Sequence, residues 1–348
     1  MASSTANRGT LSARAGRFEV ITTTRDEPEA ARPTRYHSER ARSIITRNNS
    51  PDVHFSASLN PYRGCEHGCI YCFARPNHAY VDLSPGQDFE CEIFCKDNAA
   101  EVLRETLRKP SYRCMPLVIG TATDPYQPIE RERRITREIL QVLSECRHPF
   151  SLITKSSLVL RDLDLIAPMA RQGRATVAVS VTTLDNRLKN QLEPRASAGR
   201  ERIRAVRELA RAGVPVTVLV APLIPFINDH ELEEIVEQAA QAGASAAAYV
   251  VLRLPYEVGP LWHEWLEQYY PERGAKVMSV LRGINGGADY DSRWHHRFAG
   301  QGPWAQLLAQ RFQRACRQHG LARRETLRLD VSAFRPPGVA GQLNLWEE

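Results

Sequence analysis

Three cysteines, Cys65, Cys69 and Cys72, fall within eight positions of a 348-residue chain, whereas Cys91, Cys95, Cys114, Cys146 and Cys316 are scattered. The run reads Ser58-Leu-Asn-Pro-Tyr-Arg-Gly-Cys65-Glu-His-Gly-Cys69-Ile-Tyr-Cys72-Phe-Ala-Arg-Pro76, a C-x3-C-x2-C spacing. Three thiolates on one loop ligate three irons of a cubane and leave the fourth iron without a protein ligand, so that iron is open to chemistry. Gly64 and Gly68 let the loop bend tightly around such a cluster. The competing reading is a zinc site, with His67 or one of Cys91, Cys95 and Cys114 as the fourth ligand. Structural zinc sites usually draw on paired C-x2-C knuckles; here one pair stands with an offset cysteine, so the spacing favours the cluster. With no export signal in the sequence, the cysteine usage points to a reducing compartment rather than a disulfide framework.

The elements that must position this loop follow from the rest of the chain. A 43% hydrophobic content supplies a sizeable core for one large domain with extensions, or for two modest ones. The longest apolar stretch, Val214 to Ile227, carries Pro215, Pro222 and Pro225 and falls short of the ~20 apolar residues of a membrane helix, so a cytoplasmic protein with no membrane contact is expected. Met1 to Arg17 is rich in Ser and Arg and has no acidic residue; it reads as a basic tail in preference to a transit peptide. Residues 1–50 hold nine Arg against five acidic residues, and Arg293 to Arg328 hold eight against Glu325 alone.

From Phe55 onward, apolar runs of strand type alternate with amphipathic helical windows, the pattern of parallel βα units. Strands are predicted at Phe55–Leu59, Pro116–Ala122, Phe150–Thr154, Ala175–Val181, Val216–Leu223 and Ala246–Leu252. Helices are predicted near Ala99–Leu107, Ile135–Cys146, Leu163–Ala170, Ile203–Ala212 and Leu232–Ala242, with Gly213 and Gly243 at C-cap positions. Six such repeats suit an open doubly wound sheet or a partial barrel, and periodicity does not separate the two. Residues 1–50 read as a mostly irregular arm, 51–254 as the core, and 255–348 as an extension with helical windows near Glu272–Leu281 and Trp304–Cys316.

The cluster loop, with aromatic Tyr71 before its last cysteine and at the end of a first strand, resembles the signature of the radical S-adenosylmethionine (SAM) superfamily. More narrowly, Ala41-Arg-Ser-Ile-Ile-Thr-Arg47, the cluster loop, His78-Ala-Tyr80, Leu83-Ser-Pro-Gly86, Thr123-Asp-Pro-Tyr-Gln-Pro128, Leu192-Glu-Pro-Arg195 and the ending Gln342-Leu-Asn-Leu-Trp346 resemble a bacterial subfamily allied to spore photoproduct lyase. The resemblance implies an α/β fold, a partial (βα)6 TIM-like barrel, with SAM chelated to the open iron of a 4Fe–4S cluster. It also implies reductive cleavage of SAM to a 5′-deoxyadenosyl radical that abstracts hydrogen from a substrate, fed by an electron donor such as flavodoxin or ferredoxin. A barrel that binds its ligand at the C-terminal ends of the strands offers the enclosure such a radical needs.

The same resemblance directs attention to the strand ends. Gly120-Thr121-Ala-Thr-Asp124 matches a segment whose backbone receives the methionine amino group; Asp124 is a candidate acceptor and, before a proline, equally a turn residue. Lys155 matches a lysine at the SAM carboxylate, Ser180 and Thr182 a hydroxyl position at the ribose, and Arg195 a residue near SAM. The fifth strand is expected to meet the adenine through its backbone, with Leu252 and Leu254 packing on it.

Where spore photoproduct lyase carries a hydrogen-donor cysteine near the end of its second strand, this chain has Ala122-Thr123, which speaks against direct thymine-lesion repair. Cys91 and Cys95 share strand parity with Phe89 and Ile93, the mark of a buried face. Arg311, Arg314 and Arg317, three apart on a predicted helix with Trp294, Phe298, Trp304 and Phe312 nearby, pose a nucleic-acid surface against a solvated helix face; the latter is preferred. His295 and His296 stay undecided between substrate contact and surface.

Overall fold

In a computed structural model of the chain, residues 8–12, 14, 16–18, 32–298, 300–323 and 328–338 are described. The strands are β1 (Arg35–Glu39), β2 (Ile45–Arg47), β3 (Ala57–Leu59), β4 (Tyr62–Arg63), β5 (Glu92–Lys96), β6 (Leu117–Ile119), β7 (Phe150–Thr154), β8 (Ala175–Ser180), β9 (Val216–Leu223), β10 (Ala246–Val251) and β11 (Ala322–Arg323). Eight of them form one sheet in the order β11-β10-β9-β8-β7-β6-β3-β2, parallel throughout except where β2 runs antiparallel to β3. The sheet is not closed, since β2 and β11 are its unpaired edges. This is the partial barrel that the resemblance implies, built on the six strands read from the sequence.

Strand parity divides the sheet's two faces. Leu117, Ile119, Phe150, Leu152, Val177, Val179, Val216 and Val218 join the buried core under the crossover helices. The alternate residues Val118, Ser151, Thr176, Ala178 and Thr217 line a cavity of about 820 Å³ on the inner face. Helices Ala99–Arg108, Ile135–Glu145, Leu163–Arg171, Gly199–Arg211 and Leu232–Gln241 fall where the 3.6-residue period predicts them. Gly213 and Gly243, with φ of +81° and +92°, end the last two.

Four features depart from the expected pattern. Within the N-terminal fifty residues, read as mostly irregular, two short strands appear that the sequence did not single out, β1 and β2. A second, three-stranded sheet β1-β5-β4 pairs Tyr62 with Cys95 and Arg63 with Phe94 and so anchors the chain just before the cysteine loop. Phe89 and Cys91 belong to a helical turn, Asp88–Cys91, and strand β5 begins only at Glu92, though Cys91 and Cys95 are buried. The extension also contains a helix absent from the sequence reading, Val258–Tyr269, beside the expected Gly274–Ile284 and Gly302–Gln318. Gln342 to Trp346 lie outside the described residues.

Candidate metal centre and its surroundings

The loop from Cys65 to Cys72 is held from several elements at once. Cys65 N donates to Phe89 O at 2.9 Å, Thr123 Oγ1 to Gly64 O at 2.6 Å, Glu66 N to Gln127 Oε1 at 3.0 Å and Ile70 N to Leu192 O at 3.0 Å. Beneath it, Arg75 donates through Nε to Cys69 O at 2.9 Å and pairs with Glu90 at 2.6 Å, both side chains fully buried. Glu90 also accepts from Gly9 N at 2.8 Å and Thr10 N at 3.0 Å, so its charge is compensated from both sides. Gly68, at φ +66°, lies where a Cβ would come 2.8 Å from Glu90 Oε2, so glycine is needed for both conformation and space.

All three thiols are free, and Cys65 packs with Cys72, Ala74, Phe89 and Ala122. Burial raises each pKa. Cys65 is pushed well up by burial, then by Asp124 and the two other cysteines; Cys69 is pushed to about 12 by burial and Glu193. Cys72 is raised by burial against the opposing pull of Arg75. Such thiols are protonated at neutral pH, and a cationic centre that binds them displaces their protons to solvent. Among the described residues, no three His, Cys, Asp or Glu side chains are grouped so as to hold a metal ion.

The strand ends bring Tyr71, Lys155, Ser180 and Thr182 into one network. Lys155 Nζ donates to Ser180 Oγ at 2.5 Å and lies 3.9 Å from Glu193 Oε2. Tyr71 OH donates to Glu193 and stands 3.1 Å from Thr182 Oγ1, which is 3.2 Å from the same carboxylate. Glu193 also pairs with fully buried Arg202, and its Oε2 lies 4.0 Å from Cys69 Sγ. Burial opposes its charge, but Arg202 and Lys155 hold the carboxyl below the usual range. Glu193 is thus the hub, and the sequence reading passed over it although it stands in Leu192-Glu-Pro-Arg195. A signal was available, since an arginine follows nine residues later at the start of a helix.

Asp124 occupies a turn. Its Oδ1 accepts from Tyr126 N at 2.8 Å and Thr154 Oγ1 at 2.7 Å, its Oδ2 from Lys155 N at 2.7 Å, and His67 Nδ1 lies 3.3 Å away. Thr121 Oγ1 accepts from Asn60 at 3.2 Å, and the backbone at Gly120 turns with φ +93°. Arg195 braces the outside of the cysteine loop: it pairs with Glu66 at 2.9 Å, and its N donates to His67 O at 3.2 Å. Leu252 and Leu254 are buried in the main core. Of the basic stripe, Arg311 is paired with Glu233 at 2.7 Å, whereas Arg314 and Arg317 are exposed. His295 is exposed and donates its backbone N to Asp52 at 2.6 Å, and His296 is half-buried beside Gln301.

An open parallel barrel with a three-cysteine loop after its first strand defines a class of enzyme. The chain belongs to the radical SAM superfamily, whose family model matches residues 59–239, and it is a radical SAM enzyme. That family works with SAM, a 4Fe–4S cluster and an electron donor. An uncharacterized protein of Mycobacterium tuberculosis H37Rv is 35% identical over 71% of this chain and 74% of its own length. A radical SAM Nα-GlyT isomerase of Pseudomonas phage M6 is 25% identical over 61% of this chain and 43% of its own. Among solved structures, a spore photoproduct lyase mutant superposes with a TM-score of 0.54 at 16% identity, over 82% of this chain and 79% of that one. Among the described residues, no helix is long and apolar enough to cross a membrane.

Proposed function

We propose that Cys65, Cys69 and Cys72 hold a 4Fe–4S cluster, that SAM binds beside it against Lys155, Ser180, Thr182 and the Gly120-Thr121 turn, and that the substrate meets the radical at this rim. The observation that carries the reading is the network that joins Tyr71, Lys155, Ser180 and Thr182 to Cys69 through Glu193. The donor set fits in its chemistry, since three free thiols share one loop at the spacing a cubane takes; the thiols are not gathered into a ready-made site and would draw together on the cluster as it binds. When bound, the cluster supplies the electron that splits SAM into methionine and the 5′-deoxyadenosyl radical, which takes a hydrogen atom from the substrate.

The chain's own residues bind, orient and exclude water. The Lys155 ammonium, turned toward Glu193 and Ser180, is placed to pair with a ligand carboxylate. The hydroxyls of Ser180 and Thr182 lie against Ala221 O at 3.2 and 3.0 Å, on the strand ends where a ribose would rest. Tyr71 and Arg202 fix Glu193, so that its charge stays compensated beside Cys69 whether or not Lys155 turns to a ligand.

Purified without oxygen, the protein is expected to be brown, with absorption near ~400 nm and ~4 Fe and ~4 sulfide per chain. Changing Cys65, Cys69 or Cys72 to Ala is expected to abolish all three signals. A colourless protein with one zinc per chain, unchanged by anaerobic reconstitution, would overturn the reading. Reduced with dithionite and given SAM, the enzyme is expected to release 5′-deoxyadenosine and methionine slowly; an intact cluster that never cleaves SAM would leave it without the proposed activity.

A further inference from the structure

Arg253 follows β10 at the same C-terminal rim. Its guanidinium carbon lies 4.6 Å from the ring centre of Phe298, 5.0 Å from that of Phe73 and 5.9 Å from that of Tyr290. Phe73 is the residue after Cys72, and it is 49% exposed. The guanidinium donates to Tyr290 OH at 3.3 Å, and its Nε is buried without an acceptor among the described residues. The other guanidinia around the cysteine loop each have a carboxylate: Arg75 has Glu90, Arg195 has Glu66 and Arg202 has Glu193. Among the described residues, Arg253 has none within 4.0 Å, although it is half-buried.

Three rings around a guanidinium fix its plane and strip water from its faces. A cation so desolvated, with a single long hydrogen bond to a neutral hydroxyl, loses hydration that nothing in the described structure replaces. The donor geometry that remains matches the two parallel oxygens of a carboxylate or a phosphate. Half-exposed Phe73 adjoins this cation and follows the last cluster cysteine in the chain, and so offers an apolar face to whatever part of the ligand adjoins the anion.

We propose that Arg253 anchors an oxyanion of the substrate, a carboxylate or a phosphate, and that Phe73 packs against the adjoining ring or apolar portion. This rests on the reading above, that the substrate meets the radical at this rim, and adds the charge class of that substrate and the residue that selects it. Lys155 and Arg253 then divide the labour: one cation for SAM, the other for the molecule SAM is spent on.

Phenyl phosphate and phenylacetate carry the two anions on one ring, and benzyl alcohol carries neither. Each is titrated into the anaerobic, cluster-loaded, unreduced enzyme with SAM at low salt, and binding is followed by ligand-observed NMR. At least one anion is expected to bind, with benzyl alcohol at least tenfold weaker, and the stronger anion names the source of the charge. Arg253→Met is expected to weaken that anion at least tenfold with iron content unchanged. Arg253→Gln, which keeps a planar polar head, serves as second variant should Met disturb folding. Binding of neither anion to the wild type, or equal binding by the neutral variants, would overturn the proposal. SAM cleavage is measured on the same wild-type preparation: cleavage without anion binding sinks this inference alone, and anion binding without cleavage sinks the underlying reading of the site.

Discussion

Residue by residue, the chain keeps several titratable groups neutral by burial, and His148 shows the consequence. It is fully buried against the rings of Tyr112 and Phe334. Pro149 O, 3.0 Å from Nδ1, only accepts, so Nδ1 carries the proton and Nε2 accepts from Tyr112 OH at 2.7 Å. Burial lowers its pKa from 6.5 to about 4. The unfolded state therefore takes up the proton first as pH falls. The stability contributed by neutral His148 is full above the unfolded value, declines through the window from 6.5 to about 4, and is gone below it. Between pH 7 and pH 5 this amounts to about 2 kcal/mol. Burial also lowers His78 to about 4, so the wild type loses more than one group's share. His148→Phe is expected to lose about 2 kcal/mol less than wild type over the same interval, measured by urea unfolding at both pH values. An identical loss in the variant would show that His148 is protonated in the folded protein. The cluster cysteines were legible because three like ligands on one loop are a local pattern. Glu193 was legible only in part, because Arg202 is its one partner close by in the sequence, whereas Lys155 and Tyr71 arrive from distant elements.

For the elements, the reading succeeded where both faces of a strand are apolar or small. Phe150–Thr154 and Val216–Leu223 agree at both ends with β7 and β9, since parallel strands covered by helices are continuous apolar runs. It failed for β1, whose Arg-Tyr-His-Ser-Glu text is polar and half-exposed, and for β4, which is two residues long; both take their structure from β5 between them. Neither strand has a periodicity to read. The turn after β6 shows how tightly the rim is set. A Cβ at Gly120 would come 2.5 Å from Ile153 O and 2.6 Å from Pro125 Cδ, at φ +93°. Gly173, at φ +69°, has nothing within 4 Å. Gly120→Ala is expected to cost about 2–4 kcal/mol from strain and overpacking together, and Gly173→Ala about 1–2 kcal/mol from backbone strain alone. Urea midpoints of the two variants check the order, and equal losses would mean that the turn after β6 yields more readily than its contacts allow.

Across the whole molecule, an open barrel must do something with its unpaired edges, and here the C-terminal extension bridges them. β11 covers only the first residues of β10, and beyond it Val251 N donates to Phe298 O at 3.1 Å. One residue earlier, Arg297 pairs with Asp52 at 2.6 Å, on the connection between β2 and β3. The same contacts change the meaning of the basic tail. The surplus from Arg293 to Arg328 was counted within a sequence window, but acids outside that window neutralise part of it: Asp291 pairs with Arg293, Asp52 with Arg297 and Glu233 with Arg311. Charge in a window overstates charge on a surface wherever the window folds against something acidic. Of the three arginines on helix Gly302–Gln318, Arg314 and Arg317 are exposed, and Arg311 ties the helix to Leu232–Gln241. Double-stranded DNA binding by this face should therefore lose up to ~2 units of log–log salt slope in Arg314→Gln/Arg317→Gln, with no further loss when Arg311→Gln is added. Arg311→Gln alone should instead lower stability by about 0.5–1 kcal/mol, as a partly exposed pair allows. A third unit of slope lost with Arg311 would mean that it leaves Glu233 for phosphate, and undetectable binding at low salt would make the whole stripe a solvated face.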